Sequence, residues 1–217
     1  MNKSKYSQRY SPYLESRTKR CFDILVCAVL VVPAVILITI LSLYVLFIEG
    51  RPVFFIQRRV GKNGKLFRLV KIRTLTTDAD PSIPSCEYDI DSVVTPSGRF
   101  LRRHRLDELP QIFLVLADKM SLVGPRPELP AVTAEYSSMA KKRLLTKPGI
   151  SGLWQIKASR NRPMHRNLKY DLYYLQKASL WLDIKILVLT VPFVLKPGLG
   201  KAHEKDCLHT YNVSLSK

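Results

Sequence analysis

The longest hydrophobic pattern in the chain is an uncharged run of 25 residues at positions 24–48. It is longer than the usual core helix of a soluble domain and long enough to reach across about 30 Å of hydrocarbon. A cleaved signal peptide is a poor interpretation, because the run is too long and lacks a small-residue cleavage site. The pattern therefore predicts a membrane-embedded segment over residues 20–50.

A proline and the flanking charges distinguish two topologies for this segment. Pro33 removes a backbone donor inside the run and divides it into pieces that are each too short to cross a bilayer. Basic residues flank the run on both sides, and such flanks belong on the cytoplasmic face. We therefore favour a re-entrant hairpin kinked at Pro33 over a single-pass helix. The hydroxyl of Thr39 or Ser42 would satisfy the backbone freed by the kink.

The rest of the chain alternates short β patterns with helical ones. Residues 53–59 and 66–75 are β-rich, and the Asn63-Gly64 pair between them favours a tight hairpin turn. Residues 76–92 lack periodicity and are predicted to form a loop. Helical patterns occupy the segments 99–112, 168–175 and 180–195 and part of 127–145.

Two interpretations fit residues 180–195. The uncharged stretch 186–195 is too short to span a bilayer, and with Trp181 and Lys185 nearby it favours a helix lying at the membrane interface. A buried C-terminal helix fits equally well. The predicted fold class is α+β, mainly helical: a monotopic membrane protein with an N-terminal re-entrant kinked helix, a small β-hairpin and interfacial amphipathic helices.

The predicted organisation has four parts. They are a flexible basic arm at residues 1–19, the membrane hairpin at 20–50, a cytoplasmic catalytic domain at 51–200 and a tail at 201–217. The four cysteines show no metal-ligand spacing and fit unpaired thiols in a reducing compartment.

The charge of the chain implies an anionic partner. Lys and Arg number 35 against 17 acidic residues, a formal net charge of +18. The partner could be nucleic acid, an anionic lipid surface or a phosphorylated substrate. The apolar run has no use in a nucleic-acid binder, so we expect no nucleic-acid partner.

Asp107 and Glu108 are the first candidates for chemistry. They follow the basic residues 102–105 in a segment with helical spacing. Neighbouring carboxylates on a helix point about 100° apart, so one can act as nucleophile or base and the other as metal ligand. Arg103 lies four residues before Asp107, one helical turn away, and would keep that carboxylate ionised. A surface ladder of salt bridges is the alternative interpretation.

Two later stretches carry groups that suit phosphates or sugars. Pro125 and Pro127 restrict the backbone on each side of Arg126, whose guanidinium is thus presented on a stiff loop suited to phosphate. Residues 147–155 form a glycine-containing turn that ends at Gln155 and suits a nucleotide or a sugar. A plain turn is the alternative interpretation of that stretch.

The order of these stretches resembles the bacterial sugar transferases, the monotopic phosphoglycosyl transferase superfamily. The resemblance runs from about residue 19 to residue 200. Besides the apolar run and its proline, the segments that carry it are 20–23, 50–55, 59–64, 67–68, 71–75, 78–79, 106–111, 120–128, 147–155, 171–174 and 182–185.

The resemblance implies a two-step transfer at a membrane. Asp107 would attack the diphosphate of a UDP-sugar, release UMP and carry the phosphosugar. Polyprenyl phosphate, typically undecaprenyl phosphate, would then take up the phosphosugar. Glu108 would bind Mg²⁺ or assist the incoming phosphate, and arginines would neutralise charge on the phosphates.

The resemblance also implies the remaining site residues and the location. The implied substrate-binding residues are Lys71, Arg73, Arg103, Pro125, Arg126, Pro127, Gln155 and Arg160. The implied cofactor is Mg²⁺. The implied location is the cytoplasmic face of the bacterial inner membrane, with anionic lipid as a further partner. No particular sugar, glycan pathway or oligomeric state follows from the resemblance.

The chain departs from the family pattern at four places, none of which touches the proposed nucleophile. They are residues 114–116 (Leu-Val-Leu for Asn-Val-Leu), Asp118-Lys119 (for Gly-Asp), the longer turn 156–160 without its glycine, and Val32 before the proline (often Ser). An inactive basic scaffold that binds anionic lipid at the membrane is the alternative function. In that case Asp107 and Glu108 would be dispensable.

Overall fold

The computed structural model describes residues 10–79, 90–157 and 168–195. They form a mainly helical domain with two small sheets, which confirms the predicted fold class in outline. The helices are α1 (Arg17–Glu49), α2 (Ile90–Val93), α3 (Pro96–Arg103), α4 (Ile112–Leu116), α5 (Pro130–Ala134), α6 (Ser138–Lys141), α7 (Leu153–Lys157), α8 (Leu168–Lys177) and α9 (Leu180–Leu195). The strands are β1 (Phe54–Val60), β2 (Leu66–Ile72), β3 (Ser121–Val123) and β4 (Gly149–Ser151). Short 3-10 segments lie at Pro12–Glu15, Lys62–Gly64, Leu106–Gln111 and Lys142–Leu145.

The apolar run forms α1, a helix of 33 residues. Ser16 begins the helix, because its side chain accepts a hydrogen bond from Lys19 N. Gly50, with φ +69°, ends it. Among the described residues, α1 is the one helix that could cross a membrane by length and composition. This agrees with the predicted membrane segment.

α1 packs against the domain on one side only. The buried side chains recur at helical spacing and are Lys19, Asp23, Cys27, Ala34, Ile38, Leu41 and Val45. The other side exposes large apolar groups along most of its length, among them Leu25, Val29, Val32, Ile36 and Phe47. In water such a continuous apolar surface would be unfavourable, and it therefore indicates a contact with lipid or protein.

Both ends of α1 are fixed to the same domain. Near the start, Lys19 Nζ lies 2.6 Å from Asp183 Oδ2 of α9. At the end, Ser97 N, in the first turn of α3, donates to Glu49 Oε1 at 3.1 Å. α1 therefore does not extend away from the domain as a free span.

Pro33 lies within α1, and the helix continues through it. The structure thus does not confirm a re-entrant kink, which stays a prediction. The expected hydroxyl partners are not found there: Thr39 Oγ1 donates to Val35 O at 2.9 Å, and in the described part of the chain buried Ser42 Oγ has no hydrogen-bond partner. Neither hydroxyl satisfies the Val29 carbonyl, which loses its helical donor at Pro33.

The predicted β-hairpin is confirmed. β1 and β2 pair antiparallel, with Phe54 opposite Ile72 at the open end. In the turn, Asn63 and Gly64 have φ values of +54° and +77°, the backbone that an Asn-Gly pair favours. β2 ends at Ile72, before the predicted limit at residue 75.

β3 and β4 form a parallel pair that fixes the following loop. Gly124 comes directly after β3, and Gly149 begins β4. A Cβ on Gly149 would collide with the backbone of Gly124, so the close approach of the two segments requires glycine. Gly149 N donates to Pro125 O at 2.9 Å. The glycine-containing turn of residues 147–155 thus positions the Pro-Arg-Pro loop.

A buried ionic network joins the first helix to the last. Lys19 Nζ lies 3.2 Å from Asp23 Oδ1 and 2.6 Å from Asp183 Oδ2. The hydroxyls of Tyr174 and Tyr13 donate to Asp183 at 2.7 and 3.0 Å. Because two carboxylates share one ammonium, these hydroxyls satisfy the remaining lone pairs of Asp183.

α9 has a buried side and an exposed apolar side. Asp183 and Ile186 are fully buried, whereas Trp181, Val188 and Leu195 are exposed. The buried side agrees with the interpretation as a buried C-terminal helix, and the location at the membrane interface stays a prediction.

The ends and loops of the chain are described only in part. Ser11 Oγ donates to Ala178 O at 2.6 Å, so the last residues of the predicted arm 1–19 pack on the domain. Residues 1–9, the tail 201–217 and residues 80–89 of the predicted loop lie outside the described residues.

Candidate active site

Asp107 and Glu108 lie in the 3-10 segment Leu106–Gln111 rather than in a continuous α-helix. α3 ends at Arg103, and Arg105 adopts left-handed backbone with φ +56°. The prediction that Arg103 lies one helical turn from Asp107 is wrong, because the helix ends between them. The turn directs both carboxylates inward, where Asp107 is 6% exposed and Glu108 is 8% exposed.

Glu108 is held between two cations from distant parts of the chain. Lys71 Nζ, from β2, lies 2.6 Å from Glu108 Oε1. Arg126 Nη2, from the loop after β3, lies 2.7 Å from the same oxygen, and its Nη1 lies 3.4 Å from Oε2. Lys71 Nζ is also 3.8 Å from Asp107 Oδ2. The structure thus brings four of the predicted site residues together.

The two adjacent carboxylates have different electrostatic surroundings. Burial raises the pKa of Asp107; Lys71 opposes this rise and the negative charge of Glu108 adds to it. Burial would also raise the pKa of Glu108, but the positive charges of Arg126 and Lys71 outweigh it and hold that pKa well below its usual range. Asp107 is therefore the less stabilised anion of the two.

The Pro-Arg-Pro loop is held by donors to its backbone carbonyls. The pairs are Gly149 N to Pro125 O (2.9 Å), Arg143 Nη2 to Arg126 O (3.1 Å) and Arg59 Nη1 to Pro127 O (3.3 Å). Proline has no N–H to form a local turn bond, so these carbonyls need partners from elsewhere. The three bonds position the guanidinium of Arg126 at Glu108.

Sequence reasoning assigns no site role to Arg59 or Arg143. Arg143 is buried, and its Nη2 lies 2.8 Å from Asp171 Oδ2. Burial, opposed by the charge of Glu128, lowers the pKa of Arg59 to about 10. These arginines could have been expected because the carbonyls of the Pro-Arg-Pro loop need hydrogen-bond donors from elsewhere in the chain.

Arg73 has a different position from the predicted substrate-binding one. Its guanidinium donates to the carbonyls of Glu49 (2.7 Å), Gly50 (3.0 Å) and Arg51 (3.2 Å). These carbonyls lie at the C-terminal end of α1, where no N–H group of the helix is left to donate to them. Arg73 therefore caps the membrane-capable helix.

The remaining predicted residues are dispersed. Arg103 is the last residue of α3, and Gln155 is buried in α7. Arg160 lies outside the described residues, as does most of the altered turn 156–160. Pro125 and Pro127 flank Arg126 in the loop after β3, and their part in substrate binding stays a prediction.

One departure from the family pattern has a structural explanation. Asp118, where the resemblance leads us to expect glycine, adopts φ +61°, a backbone region that glycine enters at little cost. Its Oδ1 lies 3.1 Å from Arg20 Nε and 2.5 Å from Lys147 Nζ. The aspartate thus adds ion pairs at a strained position.

The two carboxylates are a small but suitable donor set for Mg²⁺. Within the ranges that the structure describes, no group of three or more His, Cys, Asp or Glu side chains could hold a metal ion. Mg²⁺ is usually bound by one or two carboxylates together with substrate phosphates. Asp107 and Glu108 therefore fit an ion that binds with a diphosphate, and Glu108 Oε2 has the weaker cation contact of its two oxygens.

The sequence of the chain is similar to known proteins over most of its length. The family model described as "Bacterial sugar transferase" matches residues 14–197. The chain is 34% identical to undecaprenyl-phosphate galactose phosphotransferase of Salmonella typhimurium, over 82% of this chain and 40% of the relative. It is 38% identical to UDP-glucose:undecaprenyl-phosphate glucose-1-phosphate transferase of Klebsiella pneumoniae, over 80% and 39%.

A shorter relative is covered almost completely. Exopolysaccharide production protein ExoY of Sinorhizobium fredii is 32% identical over 82% of this chain and 85% of its own length. The chain spans less than half the length of the two phosphotransferases. The match over residues 14–197 includes both carboxylates and the cations that hold them, and the chain belongs to the bacterial sugar transferase family.

Proposed function

We propose that this protein transfers a sugar-1-phosphate from a UDP-sugar to membrane polyprenyl phosphate, such as undecaprenyl phosphate, and releases UMP. The transfer is the first membrane step in assembly of a polysaccharide or glycoprotein glycan. The family and the names of the relatives support the general reaction. The observation that carries the proposal is a buried carboxylate, Asp107, beside a second carboxylate fixed between two cations.

The proposed reaction has two displacements at one phosphorus. An oxygen of Asp107 attacks the sugar-linked phosphorus of the UDP-sugar, and the bond to the UMP oxygen breaks. An oxygen of the polyprenyl phosphate then attacks the same phosphorus, and the bond to Asp107 breaks. Each step exchanges one P–O bond for another, so no further co-reactant is consumed.

The surrounding residues would neutralise the phosphates. Lys71 and Arg126 lie on either side of Glu108 and can contact diphosphate oxygens once a substrate competes for them. Mg²⁺, when bound by Glu108 with Asp107, would supply positive charge at the diphosphate. The braced Pro-Arg-Pro loop fixes Arg126, which reduces the cost of ordering it when the substrate binds.

The location proposed for the reaction is the cytoplasmic face of the bacterial inner membrane. α1 has an exposed apolar side, and Lys19 and Glu49 near its two ends bind polar groups of one domain. A straight helix of this length covers about 50 Å. If α1 crossed the bilayer, the charged domain that contacts both of its ends would have to enter the hydrocarbon. These contacts favour a monotopic arrangement, with α1 as a re-entrant element and anionic lipid around it.

An inactive lipid-binding scaffold is the alternative function. A scaffold needs the apolar helix and the basic surface, but it has no need of two buried adjacent carboxylates. Burying Asp107 is unfavourable for folding, because burial raises its pKa. A residue whose burial lowers the stability of the folded protein, as Asp107 does, is typical of a catalytic position.

UMP release tests the proposal. The full chain in nanodiscs would be incubated with Mg²⁺, polyprenyl phosphate and a panel of UDP-sugars. We expect UMP from at least one sugar and loss of at least about 10³-fold in rate for Asp107→Asn. Lys62→Ala, which breaks the exposed pair with Glu15, is the control and should keep its rate. Equal UMP release by Asp107→Asn would exclude a nucleophilic Asp107.

A further inference from the structure

The β1–β2 hairpin has one face that the domain covers and one that it covers only at Val60 and Ile72. On the inward face, Leu69 is buried in the core, Lys71 reaches Glu108, and Arg59 donates to the Pro127 carbonyl. On the opposite, outward face, Ile72 at one end and Val60 at the other are buried, whereas the alternate positions between them are exposed or half-buried. The contacts of the fold and the site account for the first face and for Val60 and Ile72, but not for the exposed positions of the second face.

The exposed positions of the outward face combine apolar side chains with two arginines. We call this set the hairpin outer face; its members are Phe54, Ile56 and Arg58 on β1 and Leu66 and Arg68 on β2. Phe54, Ile56 and Leu66 are 42%, 57% and 55% exposed. Arg58 lies directly opposite Arg68, and in the part of the chain that the structure describes neither takes part in a salt bridge.

Such a face is unfavourable for a protein in water. Like charges opposite each other on neighbouring strands destabilise the sheet. Three large apolar side chains beside them expose a further patch. Apolar side chains interspersed with arginine are the composition of surfaces that lie at an anionic membrane interface.

The hairpin is fixed to the end of the membrane-capable helix. β1 begins five residues after α1 ends, and Phe47 and Ile48 are exposed near that end. Arg73, directly after β2, binds the carbonyls of Glu49, Gly50 and Arg51. Both strands of the hairpin are therefore attached to the C-terminal end of α1.

We propose that the hairpin outer face is a second membrane contact, which inserts its apolar side chains at the interface and binds anionic lipid headgroups with Arg58 and Arg68. This inference rests on the proposed insertion of α1 into a membrane. A second copy of the chain is a poorer occupant, because a two-fold contact would bring four arginines together. The contact would place Lys71, and with it Glu108, on the far side of a single sheet from the headgroups.

Photo-crosslinking of the full chain in nanodiscs tests the proposal. Benzoylphenylalanine would replace Ile56 on the hairpin, Phe47 on α1 as the membrane reference, and Met139 on α6 as an exposed control. After illumination, mass spectrometry would identify adducts. We expect lipid adducts at positions 56 and 47 and none at 139. Crosslinks between two copies at position 56, or no adduct there while position 47 reacts, would overturn the inference alone. The absence of a lipid adduct at position 47 would instead contradict the proposed insertion of α1 into the membrane.

Charge reversal tests the arginines separately. The double variant Arg58→Glu/Arg68→Glu should lower the lipid adduct at position 56 at least about fivefold in discs with phosphatidylglycerol. The charge-matched variant Lys141→Glu/Lys177→Glu, at exposed lysines of α6 and α8, should leave it unchanged. Discs of phosphatidylcholine alone should give the parent chain the low yield of the double variant. An adduct yield independent of both the arginines and the lipid charge would contradict headgroup binding.

Discussion

Asp107 and Glu108 are adjacent in the chain, yet their carboxylates are stabilised to opposite extents. Glu108 Oε1 has cationic nitrogens at 2.6 and 2.7 Å, from Lys71 and Arg126. Asp107 Oδ2 has its nearest ion-pair contact at 3.8 Å, from Lys71. One carboxylate is thus part of the framework of the site, and the other is available for reaction.

Neutralising each carboxylate should have opposite effects on stability. The pKa of Asp107 is raised in the folded protein, so its contribution to stability is present at low pH and lost as pH rises through that pKa. Asp107→Asn should therefore raise the thermal midpoint at neutral pH. The pKa of Glu108 is lowered, so Glu108→Gln removes a favourable ion and should cost about 3 kcal/mol. Thermal unfolding in detergent checks both signs; a lower midpoint for Asp107→Asn would contradict this assignment.

The pH dependence of the rate should report the ionisation of Asp107. Below its pKa the carboxyl is neutral and cannot attack phosphorus, and burial raises that pKa. UMP release should therefore fall with decreasing pH at a higher midpoint than an ordinary aspartate, about 4, would give. Lys71→Met removes a charge that lowers this pKa, so the midpoint of its residual activity should move further up. An unchanged midpoint in Lys71→Met would show that the group whose titration controls the rate is not Asp107.

Arg143 should act on the substrate through the Pro-Arg-Pro loop. Its Nη2 contacts Asp171 and the carbonyl of Arg126 while its Nη1 donates to the Tyr136 hydroxyl, and a lysine ammonium cannot reproduce contacts from two separate nitrogens. Arg143→Lys keeps the charge but should release the loop. We expect a rise in KM for the UDP-sugar of about tenfold or more, because a displacement of about 1 Å can cost a factor of 100. Steady-state kinetics with Lys62→Ala as control measure this; a KM equal to that of the parent would show that the loop holds Arg126 without Arg143.

Arg73 should stabilise the end of α1 rather than bind the substrate. Arg73→Met leaves three carbonyls without this donor, at about 1–3 kcal/mol for each that stays buried. The thermal midpoint should fall, whereas KM for the UDP-sugar should stay within about twofold in the folded protein. A KM rise without loss of stability would restore the substrate-binding role that the resemblance implies.

The sequence predicted local elements well and long-range contacts poorly. The hairpin follows from β patterns around Asn63-Gly64, and the length of α1 follows from its uncharged run. The break before Asp107 was missed, because Arg105 enters left-handed backbone with no glycine or asparagine to signal it. Residues on both sides of that break keep helical hydrophobic spacing.

The site residues divide in the same way. Asp107, Glu108 and Arg126 were predicted from local residue patterns, and Lys71 through the resemblance, which orders motifs along the chain. Arg59 and Arg143 could not be inferred from local pattern, because they serve carbonyls far away in sequence. The position of Arg73 likewise depends on where α1 ends in space, which no local motif encodes.

Trapping the covalent intermediate tests the central claim most directly. The full chain would be mixed with UDP-sugar and Mg²⁺ in the absence of polyprenyl phosphate, quenched and digested. We predict UMP in an amount close to that of the enzyme, and a peptide containing Asp107 that is heavier by one phosphosugar. Later addition of polyprenyl phosphate should discharge that peptide. UMP release that strictly requires polyprenyl phosphate, with no adduct on Asp107, would contradict the two-step mechanism in favour of direct transfer.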